Sequence, residues 1–117
     1  MVNNSTEQTR RKPKVYITNR GCHDYSAAEI YGELVFMTDG IINRYAIGET
    51  YRVFENYLKS SHSEDYLLVS GMPIMLVVAA GILSAKHNCL NLLMYKDGKY
   101  LKRNITYNLT GESNESN

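Results

Sequence analysis

The chain has 117 residues and a mass of 13.3 kDa, which is the size of one folding domain. Thirteen Lys and Arg residues against twelve Asp and Glu residues give a formal net charge of +1, so there is no domain-wide basic field to grip duplex nucleic acid. The most apolar stretch, residues 74–83, is about half the length that crosses a bilayer. We therefore expect no membrane span and no duplex nucleic-acid partner.

The N-terminus and the cysteines bear on the cellular compartment. No apolar stretch follows the basic residues at positions 10–12, which argues against a secretory signal peptide. Cys22 and Cys89 lie far apart and form no C-x-x-C pair, so neither a disulfide framework nor a zinc site is predicted. We expect a cytoplasmic protein without a metal or a cofactor.

Both ends of the chain are polar, whereas the middle is not. Residues 1–12 and 109–117 contain few side chains that a core could bury, so we predict two flexible tails. A single α/β domain is expected to span residues 13–108.

The first predicted elements are a strand and a short helix. Residues 14–19 (KVYITN) are rich in β-branched and aromatic side chains and follow a proline, which is typical of a strand. Either Asp24 or a capping box of Ser26 and Glu29 can begin the short helix, and Gly32 would end it.

A second strand and an amphipathic helix follow. Residues 34–37 (LVFM) predict the strand. From 48 to 61 the apolar side chains recur every three or four residues, which indicates a helix with one buried face. Residues 66–70 then form a short apolar run that is typical of a strand buried on both sides.

The last predicted elements are a helix and a hairpin. Residues 73–86 begin with a proline, which suits the first position of a helix. Residues 90–95 and 100–107 predict two strands, and Asp97-Gly98 between them is a strong signal for a two-residue hairpin turn.

The order of these elements predicts the fold class. Strand 66–70, helix 73–86 and strand 90–95 form a β-α-β unit whose right-handed connection makes the two strands parallel. We expect an α/β fold with a small Rossmann-like mixed sheet of about five strands, this unit and a C-terminal hairpin. The order of the first two strands stays open. Because helix 73–86 is apolar nearly all round, we expect another element or a second subunit to cover its outer side, and we expect the protein to be a homo-oligomer.

Ser70 and Gly71 lie between a buried strand and the start of a helix. In open α/β sheets, ligands bind at the carboxyl ends of parallel strands, near a change in strand order. The N–H groups at a helix N-terminus favour an anion, and glycine allows a close approach of the backbone. The same residues also make an ordinary helix start, and both interpretations stay open.

The loop after the first strand carries more functional groups than a turn requires. Asn19, His23, Asp24, Tyr25 and Ser26 offer an amide, an imidazole, a carboxylate, a phenol and a hydroxyl. A nucleotide could stack on Tyr25, with polar contacts from Asn19 and Asp24 and a proton-sensitive contact from His23. The alternative is that Asp24 and Ser26 cap the helix, Tyr25 packs and His23 is solvated.

Residues 19–26 of this loop read N-x-G-x-H-D-Y-S. Three further segments accompany this motif in the chain: residues 31–36 (YGELVF), 65–71 (DYLLVSG) and 90–95 (LNLLMY). Together they resemble a group of small proteins encoded by bacteriophages and their hosts, over about residues 14–105. The resemblance implies a phage context and carries no activity. Phage proteins of this size are often accessory proteins that bind a host protein or a host signalling nucleotide.

The patterns that would indicate catalysis are weak. Cys22 and His23 are adjacent, and adjacent side chains seldom face one another as a nucleophile and its base must. His23 could meet Ser70 across a crevice, but the chain has no G-x-S-x-G, Walker A or G-x-G-x-x-G sequence. We therefore expect binding rather than catalysis, with a small phosphoester-acting enzyme that uses His23 as an alternative.

Our leading hypothesis is a non-catalytic phage accessory protein of the counter-defence type, which sequesters a small anionic ligand derived from a nucleotide. Arg52 or Arg103 would supply positive charge, from the same or a neighbouring chain. A competing hypothesis is a protein-interaction module that inhibits a host protein through some of its ten tyrosines. The expected ligand-binding residues are Asn19, Gly21, His23, Asp24, Tyr25, Ser26, Arg52, Ser70, Gly71 and Arg103.

Overall fold

The structure, a computed structural model, describes residues 11–108. The predicted tails, residues 1–12 and 109–117, lie outside this range except for Arg11 and Lys12, so their flexibility and the domain limits stay predictions. The elements, in chain order, are β1 (Lys14–Ile17), a 3₁₀ helix (Ser26–Ile30), β2 (Glu33–Phe36), α1 (Ile47–Leu58), β3 (Tyr66–Leu68), α2 (Pro73–His87), β4 (Cys89–Lys96) and β5 (Lys99–Thr106).

The five strands form one mixed sheet in the order β2-β1-β3-β4-β5. β1 pairs in parallel with both β2 and β3, β3 pairs in parallel with β4, and β5 pairs antiparallel with β4. This confirms the predicted α/β fold with a five-stranded mixed sheet, the β-α-β unit and the C-terminal hairpin. It also places the first two strands, whose order the sequence left open: β1 is internal and β2 is an edge.

The hairpin between β4 and β5 turns at Asp97 and Gly98, as predicted. Their φ angles are +53° and +84°, and positive values at both central residues define the turn type that matches the twist of paired strands. The turn fixes the register of the hairpin, in which Tyr95 lies opposite Tyr100.

The two α-helices cover one face of the sheet. Because side chains alternate along a strand, Tyr16 of β1 packs on this side, whereas Val15 and Ile17 pack on the other. The helices contribute Phe54 and Leu58 from α1, and Met75, Ala79 and Leu83 from α2. Although α2 is strongly apolar, none of the helices within residues 11–108 is long enough and apolar enough to cross a membrane.

The opposite face of the sheet has a much thinner cover. Among the elements of residues 11–108, the five-residue 3₁₀ helix is the one that packs there, through Tyr25 and Ala28. The connection from β1 to β2 is tight: a Cβ on Gly32 would lie 2.3 Å from the carbonyl oxygen of Pro13. Part of this face therefore stays open toward β4 and β5.

The short helix and the end of α1 differ in part from the prediction. Of the two predicted starts of the short helix, the structure has a hydrogen bond from the main-chain N–H of Ser26 to Asp24 Oδ1 at 2.9 Å, and no side chain makes the capping-box bond. This helix ends at Ile30, two residues before Gly32. Helix α1 ends at Leu58 rather than at residue 61, because the Ser61 hydroxyl donates to the carbonyl oxygen of Leu58 at 2.7 Å.

Candidate functional site

The loops after β1 and β3 converge at the carboxyl edge of the sheet. From β1 the chain crosses to β2 on one side, and from β3 it crosses to β4 on the other, so the strand order reverses between β1 and β3. The Thr18 hydroxyl donates to the carbonyl oxygen of Ser70 at 3.3 Å, and the hydroxyls of Tyr25 and Ser70 are 3.1 Å apart. This edge is where ligands of open α/β sheets are commonly bound.

A cavity of about 400 Å³ lies beside this junction, and we call it the tyrosine cavity. It opens on the thinly covered face of the sheet, because Tyr25 and Tyr100 belong to the core cluster of that face. The Tyr95 ring is 62% exposed and lies edge-on to that of Tyr100, with ring centroids 5.2 Å apart. The residues that line the cavity are His23, Asp24, Tyr25, Val69, Ser70, Tyr95 and Tyr100.

Two side chains that line the cavity, Asp24 and Tyr100, have a shifted pKa. The hydrogen bond from the Ser26 backbone lowers the pKa of Asp24 below its ordinary value, so this exposed carboxyl is ionised. Burial raises the pKa of the Tyr100 phenol, which therefore stays protonated. The cavity thus combines the negative charge of Asp24 with the protonated phenol of Tyr100 and aromatic surface.

A second, smaller hollow of about 300 Å³ adjoins the tyrosine cavity, and we call it the arginine hollow. His23, Asp24 and Tyr25 line both spaces. The guanidinium carbon of Arg20 lies 3.8 Å from the centroid of the Phe36 ring, a cation–π contact. The other residues that line the hollow are Gly21, Ser26, Glu29 and Leu34.

Several predicted site residues therefore lie together. His23, Asp24, Tyr25 and Ser70 line the tyrosine cavity, and Gly21 and Ser26 line the adjoining hollow. Whether any of them contacts a ligand stays a prediction.

Two other predicted residues support the loops instead of lining either space. The Asn19 amide donates to the Gly40 carbonyl at 3.0 Å and its oxygen accepts from the Thr38 hydroxyl at 2.8 Å, so it ties the loop after β1 to the loop after β2. Gly71 has φ +98°, and a Cβ there would lie 3.1 Å from Thr18 Oγ1. It is the backbone turn of Gly71 that lets the two loops approach so closely.

Within one chain, the two predicted arginines do not reach this edge, and their contribution from a neighbouring chain stays a prediction. Arg52 is exposed on α1, which covers the opposite face of the sheet. Arg103 lies on β5 opposite Leu92 and lines a different hollow with Glu64 and Tyr66, toward the start of β3. Positive charge beside the cavity comes from Arg20 instead.

Sequence reasoning missed Tyr95, Tyr100 and Arg20. The hairpin turn could have indicated the two tyrosines, because a two-residue turn at Asp97-Gly98 places them directly across from each other. Arg20 carries no such signal, since its role depends on packing against Phe36 of another strand.

Ser61 and His87 form a serine–histidine pair elsewhere in the fold, 2.7 Å apart. The single proton of the Ser61 hydroxyl is donated to the Leu58 carbonyl, so His87 Nε2 must be the donor of this bond. Burial, together with nearby Lys86, lowers the pKa of His87, which keeps the ring neutral. In a catalytic pair the serine hydroxyl donates its proton to the histidine, whereas here the histidine donates to the serine. The pair is therefore structural.

In the described part of the chain, no three His, Cys, Asp or Glu side chains gather closely enough to hold a metal ion.

Comparison with known proteins identifies a family. Residues 6–108, most of the chain, match the profile of the Phage Pam3 gp32-like protein family. The chain matches no curated protein and no solved structure. The phage part of the resemblance noted in the sequence is thereby confirmed, whereas its loop motif is not addressed by the match. The chain belongs to the Phage Pam3 gp32-like protein family.

Proposed function

We propose that this phage protein binds a small ligand derived from a nucleotide in the tyrosine cavity and holds it without transforming it. One observation carries the proposal: the loops after β1 and β3 meet through the Tyr25–Ser70 hydroxyl contact at the strand-order reversal, beside a cavity of about 400 Å³. A cavity of this size lies within the range of small-molecule sites.

The walls of the cavity suit a nucleoside. The exposed ring of Tyr95 offers a face for stacking a base, which is a contact that tolerates any base. The ionised Asp24 can accept hydrogen bonds from ribose hydroxyls, the contact that an acidic residue makes in many dinucleotide sites. The Ser70 hydroxyl adds a group that can donate or accept.

The anionic end of such a ligand would be placed in the arginine hollow. Asp24 lines both spaces and Glu29 lines the hollow, but of the two spaces it is the hollow that Arg20 also lines, so a phosphate meets an attractive charge there. Arg20 forms no ion pair with any carboxylate of the described residues, so its charge is available to a phosphate in the adjoining space. The ligand would thus lie across the shared wall of residues 23–25.

Binding fits this site better than catalysis does. Among the described residues, the His23 ring contacts Tyr25 edge-on, with centroids 5.9 Å apart, and makes no hydrogen bond to a nucleophile or a carboxylate. An imidazole needs such partners to act as an oriented base. In a phage-infected cell, a protein that holds a nucleotide without turning it over lowers the free concentration of that signal, which is the counter-defence role that we propose.

Calorimetric titration with linear and cyclic mono- and dinucleotides tests the proposal. We expect binding heat with at least one of them, and an affinity about tenfold or more weaker after Tyr95→Ala, from the loss of a stacking face. Tyr57→Ala, which removes a 40% exposed tyrosine on α1, is the matched control and should bind as the unchanged protein does. Absence of heat with every nucleotide would overturn the proposal in favour of the protein-interaction module.

Mass spectrometry of the same samples separates binding from catalysis. We expect the nucleotide to be recovered unchanged after prolonged incubation. A hydrolysed product that disappears in His23→Ala would replace the binding proposal by the phosphoester-acting enzyme.

A further inference from the structure

An apolar groove of about 660 Å³ runs between α1 and α2 on the outer side of the helix layer. It lies on the opposite face of the sheet from the tyrosine cavity, because α1 and α2 both pack on the first core cluster. Most of its lining is apolar, with one acidic and one basic residue, Glu55 and Lys86. The principal apolar residues are Ile47, Tyr51, Val77, Val78 and Ile82.

Large apolar side chains around this groove are exposed in a single molecule. Val77 is 65% exposed, and Ile47 and Tyr51 are nearly half exposed. Outside the lining of the groove, Ile41 and Tyr45 in the loop that leads into α1 are also strongly exposed. With ordinary residue areas, the exposed parts of the three lining residues come to roughly 300 Å² and those of the two loop residues to roughly 400 Å², against about 800 Å² on each partner of a standard stable interface.

Gly81 gives an independent sign of close contact at this surface. It lies near the middle of α2, where glycine is among the least favourable residues for a helix. A Cβ built on Gly81 meets no atom within 4 Å, so nothing in residues 11–108 of the same molecule accounts for the missing side chain. A helix from a second molecule that crosses at this point would account for it, because glycine lets two helix backbones approach closely.

We propose that a second copy of this chain docks on the groove, with the α2 helices of the two copies crossing at Gly81 about a two-fold axis. A second copy meets this surface with the same residues on both sides of the axis, as an isologous contact requires, and a crossing near the midpoint of the 15-residue helix lets the two helices overlap on both sides of it. The charges agree with this. Glu55 and Lys86 give the groove no net charge, so two identical copies meet without net repulsion.

Sedimentation velocity across protein concentrations of about 1 to 100 µM tests this dimer. We expect the unchanged protein to sediment as a dimer at the upper end of this range. Val77→Glu should sediment as a monomer, because it places two carboxylates in the crossing, and the 65% exposure of Val77 lets the single chain tolerate the change. The matched control is Ile30→Glu, at an 83% exposed position on the 3₁₀ helix, which should remain a dimer.

Gly81→Ala provides a second test that does not introduce a charge. The added methyl group has room in the single chain, so circular dichroism should show an intact fold while the dimer dissociates at tenfold or higher concentrations than before. The proposal is overturned if the unchanged protein is a monomer throughout the concentration range. It is equally overturned if Val77→Glu and Gly81→Ala both leave the dimer constant unaltered.

Discussion

Replacing Asp65 by alanine tests how the start of the sheet is held together. The Asp65 side chain is buried, and its two oxygens accept four hydrogen bonds. Oδ1 accepts from Arg11 Nη1 at 2.5 Å and from the backbone N–H of Lys14 at 3.0 Å. Oδ2 accepts from Arg11 Nη2 at 2.8 Å and from the backbone N–H of His62 at 2.9 Å. One carboxylate therefore ties the residues before β1 to the turn before β3.

The size of the effect follows from what Asp65→Ala leaves behind. The Arg11 side chain is 21% exposed, so its charge would stay largely buried without a partner, and two backbone donors would lose their acceptor. Breaking a buried pair costs 3–5 kcal/mol, and the partial exposure of Arg11 points to the lower end, about 3 kcal/mol of the free energy of unfolding. For a domain of this size that corresponds to a fall of roughly 12–20 °C in Tm.

Urea unfolding followed by circular dichroism measures this loss. Glu64→Ala is the matched control, because it removes the same charge from the neighbouring, exposed position and should change the free energy of unfolding by less than about 0.5 kcal/mol. Arg11→Ala should cost less than Asp65→Ala, since the carboxylate keeps its two backbone donors. Equal midpoints for Asp65→Ala and Glu64→Ala would refute the assignment of the carboxylate as the tie between these segments.

Three further outcomes follow from particular contacts. Burial disfavours the ionised form of Asp65, but its hydrogen bonds with Arg11 and the backbone outweigh this and hold its pKa below the usual 3.8, so the stability that it contributes should be lost as the pH falls below that value. The pKa of His87 is lowered in the folded protein, so the imidazole of the unfolded chain takes up a proton at a higher pH than that of the folded protein. Urea midpoints should therefore fall as the pH drops below about 6.5. In His87→Gln this part of the pH dependence should disappear. Gly32→Ala should cost roughly 2 kcal/mol, because its Cβ would collide with a backbone carbonyl 2.3 Å away, whereas Gly21→Ala, whose Cβ meets nothing within 4 Å, should leave the urea midpoint unchanged.

Local patterns predicted most of the fold because most of its elements carry their own signals. The Asp97-Gly98 turn, the proline at the start of α2 and the periodicity of α1 each act within a few residues. The order of β1 and β2 could not be predicted in this way, because it depends on which neighbour β1 pairs with in space. The contact between Arg11 and Asp65 spans 54 residues, so no local pattern contains it, and Arg11 was assigned to a flexible tail.

The candidate site was predictable in part for a similar reason. The loops after β1 and β3 follow strands that the sequence marks clearly, and parallel strands bring their carboxyl ends to one edge. The two arginines were placed by charge alone, and charge does not indicate which face of a sheet a residue occupies. Arg52 belongs to a helix on the other face, and Arg103 to a strand position distant from the tyrosine cavity.

The open surfaces on the two faces of the sheet have different structural origins, and this makes the two proposals separable. The connection between β1 and β2 contains only a five-residue 3₁₀ helix, so the end of the hairpin near Tyr95 stays uncovered and the tyrosine cavity forms there. On the other face, two full helices cover the sheet, but α2 is apolar beyond the side that the sheet can bury. The tyrosine cavity thus forms because the 3₁₀ helix covers only part of its face of the sheet. The groove forms because α2 has more apolar surface than the sheet buries. A variant at Val77 should therefore alter dimer formation without moving the loops that meet at Ser70. A variant at Tyr95 should alter ligand binding in a protein that still forms the dimer.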